Sequence, residues 1–435
     1  MWKEPSAGVV VMATISSRAR QYLFVTLSTA FTAHLLGPYY PAHLYRAGLA
    51  PSMLGVLKSI SQAFMGLFDF PTGVFADLYG RRSSGCIGLL LNGVGFLIIA
   101  LFPRFGVQWL VVAFICIGLG DAFLSGSFEA WITDEYKKMR ALDELKFLFS
   151  KARSLLPLVG VIAGVIGWFC SSIYLALPII LGGVVLISTC ILALLTMIEN
   201  YGASVTGVEH LKRSLLYLLA SRSLQFYTLG YSLVYSMFNF FIFTWPIILL
   251  KLELASEMLG IIYILLLISM STGSAISHIL LRRGYSPRTL LYIALVLFSL
   301  SFLLVGTLPL LLYVVMSLAI LEIGWGLLTP NLIYLRNLMI PSEHRASLLS
   351  LISTIASLAS SLIVVGISMY IIPQSLPLAY KVASILGAIS LLSLYISLSY
   401  RADDLPSVDL TDDQPARELY SLPLPAHDKI KPLLI

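Results

Sequence analysis

Four charged side chains stand inside long apolar runs of this chain: Lys58, Asp69, Asp121 and Glu322. A charge at the centre of a bilayer costs about 2.5–3.5 kcal/mol on insertion scales, so each is a functional candidate by default. A carboxyl group facing an apolar cavity can take up and release a proton. The expected carrier is Asp121 or Glu322, with Asp69 third; the competing reading is a carboxyl hydrogen-bonded between helices. Lys58, Gln62, Met65 and Asp69 follow at steps of four, three and four, which puts them on one helical face. About three turns, ~16 Å of helical rise, separate Lys58 from Asp69 and exclude a direct ion pair. Both can face one aqueous cavity, or Lys58 can snorkel to the surface.

A second pattern is aromatic. Tyr227, Tyr231, Tyr235 and Asn239 recur at steps of four, and ring faces with hydroxyl tips suit amphiphilic or cationic solutes. Packing between helices explains the same stripe. His34 and Trp325 are weaker candidates of the same kind, and the Ser350, Ser353, Ser357, Ser360 series reads as a close-packing seam. No phosphate-binding loop, metal-ligand cluster or nucleophile elbow accompanies them, so neither an enzyme nor a cofactor or metal is expected. Cys86, Cys116, Cys170 and Cys190 all fall in apolar runs and read as small packing residues.

The elements that hold these residues follow from composition. The chain of 435 residues is 58% hydrophobic and 11% charged, with mean hydropathy +0.91. A soluble protein would carry about a quarter charged residues. Hydrocarbon tolerates only helices or closed barrels, and these runs lack ten-residue alternation, so they are helices. An all-α membrane protein with twelve spans is expected, at 20–43, 51–76, 84–103, 108–131, 154–172, 174–197, 224–250, 257–281, 288–307, 309–334, 346–371 and 377–399. The domains expected are an N-terminal segment 1–19, a six-helix bundle 20–200, a central loop 201–223, a second bundle 224–400 and a polar tail 401–435.

Charge orients the array. Of the 28 lysines and arginines, 23 fall on the side that carries both termini, four on the other (Arg46, Arg104, Lys251, Lys381), and Lys58 lies within a span. This places the termini in the cytoplasm. The net charge of +6 then reflects orienting loops rather than a nucleic-acid partner. The halves also repeat. An offset of 205 carries Pro41 to Pro246, Leu49-Ala50 to Leu254-Ala255, and Met53-Leu54-Gly55 to Met258-Leu259-Gly260.

Between the second and third spans runs Asp69-Phe-Pro-Thr-Gly73-Val-Phe-Ala-Asp77-Leu-Tyr-Gly80-Arg81-Arg82. Gly73 is expected to admit a neighbouring helix closely, and Gly80 to permit a sharp reversal. Asp77 and Arg81 can bond each other, helix ends and the carboxylate of Asp134; Glu129 is expected to support that cluster. Asp69 separates from it and joins the cavity candidates.

The order Gly73, Asp77, Gly80, Arg81, Arg82 in this loop resembles the signature of the major facilitator superfamily. With the twelve spans, the resemblance covers about residues 20–400. It implies two six-helix bundles rocking about a central site, with the Gly73–Arg82 cluster and Asp134 as a latch of the outward-facing state. Two departures stand out: Leu78 where the family usually has a basic residue, and no acid in the second copy, Leu281-Arg-Arg-Gly-Tyr-Ser-Pro-Arg288. Gly118–Asp134 and Pro341–Ser350 resemble prokaryotic members. Ser127-Phe-Glu-Ala-Trp131 is similar to eukaryotic molybdate-anion transporters, over too short a stretch to carry a substrate. The arginine that drug/proton antiporters carry in helix 4 would fall near Phe114 and is missing. Gly160, Gly164 and Gly167 occur without the antiporter Gly-Pro pair. The function expected is proton-coupled export of amphiphilic compounds by a monomer in the cell membrane. The alternatives are uptake of a small polar solute or anion countered by Lys58 and Arg336, and a non-transporting sensor or lipid-handling protein.

Overall fold

The computed structural model describes residues 7–102, 104, 106–202, 207–340 and 345–400, and every regular element among them is helical. In chain order these are α1 Ala7–Leu36, α2 Tyr39–Arg46, α3 Pro51–Tyr79, α4 Arg81–Ala100, α5 Val107–Leu124, α6 Ser127–Lys138, α7 Leu142–Ile173 and α8 Leu177–Thr196. There follow α9 Gly207–Ala220, α10 Arg222–Lys251, α11 Leu259–Arg282, α12 Pro287–Val305, α13 Leu311–Met339, α14 Arg345–Gly366 and α15 Leu376–Ser399. The first and fourth spans are each broken in two. Gly37-Pro38 separates α1 from α2, and Gly126, at φ 70°, separates α5 from α6. With those joined, and α9 set aside as a linker, the twelve expected spans are present.

The differences lie at one end of the array, the basic face that carries Arg81, Arg82, Lys137 and Lys138. There α6 runs to Lys138 and α7 starts at Leu142, well before 154, and the central segment expected as a loop contains α9. These stretches are amphipathic, so a hydropathy window ends before the helix does. Ten spans are long and apolar enough to cross a membrane by composition alone. The two that are not, α1 and α3, are as long but carry Arg18, Arg20 and Gln21, and Lys58, Gln62, Asp69 and Asp77. Much of the chemistry sits on the helices that look least like membrane.

Helix pairing repeats across the halves. The neighbours α4–α5, α3–α5, α1–α7, α1–α8 and α4–α8 recur, six spans on, as α12–α13, α11–α13, α10–α14, α10–α15 and α12–α15. Small residues set the spacing: a Cβ on Gly88 would stand 2.7 Å from the carbonyl oxygen of Gly120, and one on Gly120 2.9 Å from that of Gly88. Hydroxyls inside the spans fold back on their own helices, as Ser59 Oγ does to Gly55 O at 2.9 Å and Ser232 Oγ to Thr228 O at 2.6 Å. This spares them an unpaired donor in hydrocarbon.

The repeated Met-Leu-Gly tripeptides have a joint role. Gly55 opens α3 against Ser368 and Phe243 of the second half. Gly260 opens α11 against Tyr39, Gly164 and Trp168 of the first, where a Cβ would lie 2.7 Å from Gly164 O. The two glycines thus form equivalent close approaches at the far end, opposite the basic face. Arg46 Nε adds a hydrogen bond to Ser256 Oγ at 3.2 Å there, and Ser361 Oγ donates to Ser59 O at 2.8 Å. On the basic side the halves meet chiefly along α3 and α14. Where α7 and α11 part, Pro157, Leu158, Leu267 and Thr272 line a crevice of about 420 Å³.

Filling either approach should wedge the far end. Gly55→Leu or Gly260→Leu is expected to cost roughly 1–3 kcal/mol of the closed arrangement and to lengthen the distance between nitroxides at Ala50 and Ala255. Gly73→Ala, which lies inside α3 and would meet nothing within 4 Å, should leave that distance unchanged and stabilise the fold by roughly 0.4–1 kcal/mol.

Candidate functional site

The first half encloses a cavity of about 390 Å³ between α1, α3, α4, α5 and α8, and Ile242 of α10 is its one lining residue from the second half. Lys58 and Asp121 line it together with Thr32, Ser61, Asn92 and Tyr40. Each is placed by its helix. Lys58 stands two turns into α3 from the far end, and Asp121 one turn before the α5–α6 break at Gly126. Asn92 of α4 donates from Nδ2 to Asp121 Oδ1 at 3.1 Å.

Among the described residues no carboxylate lies within 4.0 Å of the Lys58 ammonium. Asp121 acts on it through space rather than by a direct pair. Three buried polar atoms of the wall have no hydrogen-bond partner in the protein: Thr32 Oγ1, Ser61 Oγ and Asn92 Oδ1. Thr32 and Ser61 are 1% and 0% exposed. Buried polar atoms without a partner are rare because each costs a desolvation penalty, and here three belong to residues that line one cavity with a lysine. The arrangement can surround a small polar solute that carries negative charge.

The aromatic stripe sits elsewhere and is engaged. Tyr227 is buried and donates to Leu332 O at 3.1 Å. Tyr231 stacks between Tyr227 and Tyr235, with the Arg336 guanidinium 5.7 Å from its ring centre. Tyr235 donates to Gln62 Oε1 at 3.2 Å across the halves, and Asn239 donates to Tyr235 O at 3.0 Å. Trp325 stacks on Phe238 at 3.9 Å between centroids. The stripe is therefore helix packing, the alternative the spacing had left open.

Three expectations about the acids and His34 are revised. Glu322 does not line the cavity with Asp121. It is buried in α13 with Oε2 unpartnered, close enough for its charge to act on Tyr263 of α11. His34 Nδ1 meets Tyr263 Oη at 2.7 Å, bridging α1 and α11. Asp69 accepts from Ser350 Oγ at 3.1 Å and lines a basic-side cleft of about 390 Å³ with Gly73, Asp77, Arg81 and Ser347. Its place three turns below Lys58 returns it to the loop motif.

That motif is built as a network. Gly80 turns the chain at φ 112°, a left-handed region open to glycine. Arg81 donates to Asp134, to Ala130 O at 2.7 Å and to Asp77 Oδ1 at 3.2 Å. Arg82 turns the other way and pairs with Glu199 at 3.4 Å, while Glu199 also accepts from the backbone N–H groups of Arg82 and Ser83 at 2.8 and 3.0 Å. Glu199, beyond the end of α8, is the member that the sequence reading missed; its one signal is an acid closing a span on the basic side. Glu129 is exposed and is not among the partners of Arg81. Gly73 does not admit a neighbouring helix, because its face borders the cleft. Pro341–His344 of the segment leading into α14 lie outside the described residues, as do 1–6 and the tail 401–435.

A family model described as Major Facilitator Superfamily matches residues 22–364, well over half of the chain. A molybdate-anion transporter of Xenopus laevis is 25% identical over 366 residues, which span 80% of this chain and 79% of that protein. Among solved structures, a POT family transporter in complex with 5-aminolevulinic acid superposes with a TM-score of 0.66 at 14% identity, covering 87% of this chain and 94% of its own. The nucleoside transporter NupG superposes with a TM-score of 0.69 at 11% identity, covering 88% and 100%. Repeated helix pairing, a polar cavity inside one bundle and a family match over most of the length lead to one statement: this chain belongs to the major facilitator superfamily and is a multi-pass secondary transporter, not an enzyme.

Proposed function

We propose that this protein takes up a small polar anion together with a proton across the cell membrane, with the basic face and both termini in the cytoplasm. The observation that carries the reading is the Lys58 ammonium, set in a cavity beside the partnerless hydroxyls of Thr32 and Ser61 and not ion-paired within it. Hydroxyls and an ammonium are donors, and an anion is the solute that accepts from all of them. The Xenopus laevis relative, named as a molybdate-anion transporter, supports the same class.

Coupling follows from charge. With Asp121 ionised, its field offsets that of Lys58 and the cavity holds no net charge. A proton on Asp121 leaves the lysine uncompensated, and the cavity then attracts an anion. Each ligand favours the other, and by linkage the effect is reciprocal. Glu322 is a second proton candidate in the other half, beside the His34–Tyr263 bridge. The two bundles, residues 20–200 and 224–400, would rock about the cavity, with Asp77, Arg81 and Asp134 biasing the balance between states. A monomer is sufficient for this cycle. Proton-coupled export of amphiphilic compounds, the direction first expected from the sequence, has less behind it, since the tyrosines are packed against helices and the fourth span, α5, has Phe114 in place of the antiporter arginine.

Purified protein in proteoliposomes with the outside acidified should accumulate molybdate, sulfate or phosphate, and should not concentrate cationic dyes. Dye accumulation without anion entry would reverse the assignment. Lys58→Gln should lower the initial rate of anion uptake by on the order of tenfold or more, equivalent to losing about 1.4 kcal/mol of binding. An unchanged rate would remove Lys58 from the site. Asp121→Asn should abolish stimulation by the pH gradient while sparing anion exchange, whereas Glu322→Gln tests the second candidate by the same measurement. Arg81→Ala should slow turnover by on the order of tenfold through the conformational balance, with the concentration for half-maximal uptake little changed.

A further inference from the structure

The linker helix α9 has two unlike faces. Ser214, Tyr217 and Leu218 are buried, at the three- and four-residue spacing of one face, on the helix that packs against α14. The other face shows Leu215, Leu216 and Leu219, which are 42%, 58% and 61% exposed, and an exposed Lys212 one turn earlier on the same side. The C-terminal end of α9 is clamped to α10. Ser221 Oγ accepts from Leu224 N at 3.3 Å, and Gln225 Nε2 donates to Leu219 O at 2.5 Å. The exposed face is therefore held in one direction.

We propose that this face of α9 docks on the membrane surface and binds anionic lipid, with the three leucines in the acyl boundary and Lys212 and Arg222 against headgroup phosphates. Three features select lipid as the occupant. The three leucines form an exposed apolar face directly beside the membrane-spanning α10, which exposes Leu229 at 49%. The helix stands at the basic end of the spans and leads into α10 across the single residue Ser221. Among the described side chains, the exposed charges here are Lys212 of α9 and Arg222, which opens α10; both are positive and complement an anionic surface. An amphipathic helix with basic residues beside its apolar stripe is the form that lies in an interface, and each basic residue adds attraction to anionic lipid. Because α9 packs on α14, and α14 contacts Asp69 through Ser350, the grip of the membrane on α9 bears on the basic-side contact between the halves.

The test places one nitroxide at position 216 of the full-length protein in phosphatidylcholine vesicles, with and without phosphatidylglycerol. Cys86, Cys116, Cys170 and Cys190 are replaced by Ala. The label should collide more with oxygen than with a water-soluble nickel chelate, and should move deeper when phosphatidylglycerol is added. Lys212→Gln and Arg222→Gln together should abolish that shift while the preference for oxygen persists. If the cysteine-free background does not fold, a benzophenone residue at 216 in the native background should crosslink to lipid. Nickel accessibility at 216 equal to that of a label at the exposed Lys146 overturns the proposal, as does depth indifferent to phosphatidylglycerol or crosslinking to protein alone.

Discussion

Hydrocarbon cannot solvate a charge, and the placement of charge in this protein follows from that limit. Ionic groups have three options in a membrane: pair with one another, reach an interface, or face a polar cavity. Arg81, Asp77 and Asp134 take the first two at once, pairing at the basic end where the spans leave the membrane. Arg82 and Glu199 do the same beside them. Lys58 takes the third, since no carboxylate among the described residues pairs with it and it lines the cavity. The same limit explains why α1 and α3 fall short of span-like hydropathy: Arg18 of α1 and Asp69 and Asp77 of α3 are engaged at the basic end, and Lys58 faces the cavity.

The second constraint is steric. Two halves that must separate and rejoin need contacts that are close but not interlocked. Gly55 and Gly260 meet that need, because backbone against side chain at short range gains dispersion energy without knobs that would have to be unthreaded. Their recurrence at one offset in the sequence therefore has a mechanical meaning as well as a genealogical one. The hydrogen bonds that cross the halves, among them His34 to Tyr263, Tyr235 to Gln62, Ser350 to Asp69, Arg46 to Ser256 and Ser361 to Ser59, are isolated polar contacts beside this packing. Each can be exchanged for water or solute at modest cost.

The amino-acid sequence made the helices and their pairing legible, because both depend on properties local to the chain: long apolar runs, basic connections and a repeated tripeptide. The loop motif was legible for the same reason, down to the Asp77–Arg81 pair one turn apart. What failed required knowledge of a neighbour. Gly73 reads as a packing glycine only if a helix lies opposite, and a cleft lies there instead. Asp69 shares a helical face with Lys58, but three turns of rise carry it out of the cavity. Glu322 matches Asp121 in depth, yet depth does not fix which way a side chain points around the helix. Glu199 escaped notice because its importance comes from Arg82 and Ser83, more than a hundred residues away.

These departures share a direction. The polar cavity, its lysine and its carboxylate belong to the first half, and so does the charged network of the loop. The second half answers with stacked rings, Tyr227 to Tyr235 and Phe238 on Trp325, and with the one buried carboxyl of Glu322. A fold with two equivalent halves has thus been used unequally. If both halves carried charge, solute bound to one would be contested by the other, and closure would have to desolvate both sets at once. With the lysine and carboxylate of the cavity in one half, the second half contributes, among the described residues, only the apolar Ile242 to its wall. In the proposed cycle the electrostatic cost of occlusion would depend on the charge balance of that one cavity, which a proton on Asp121 would change.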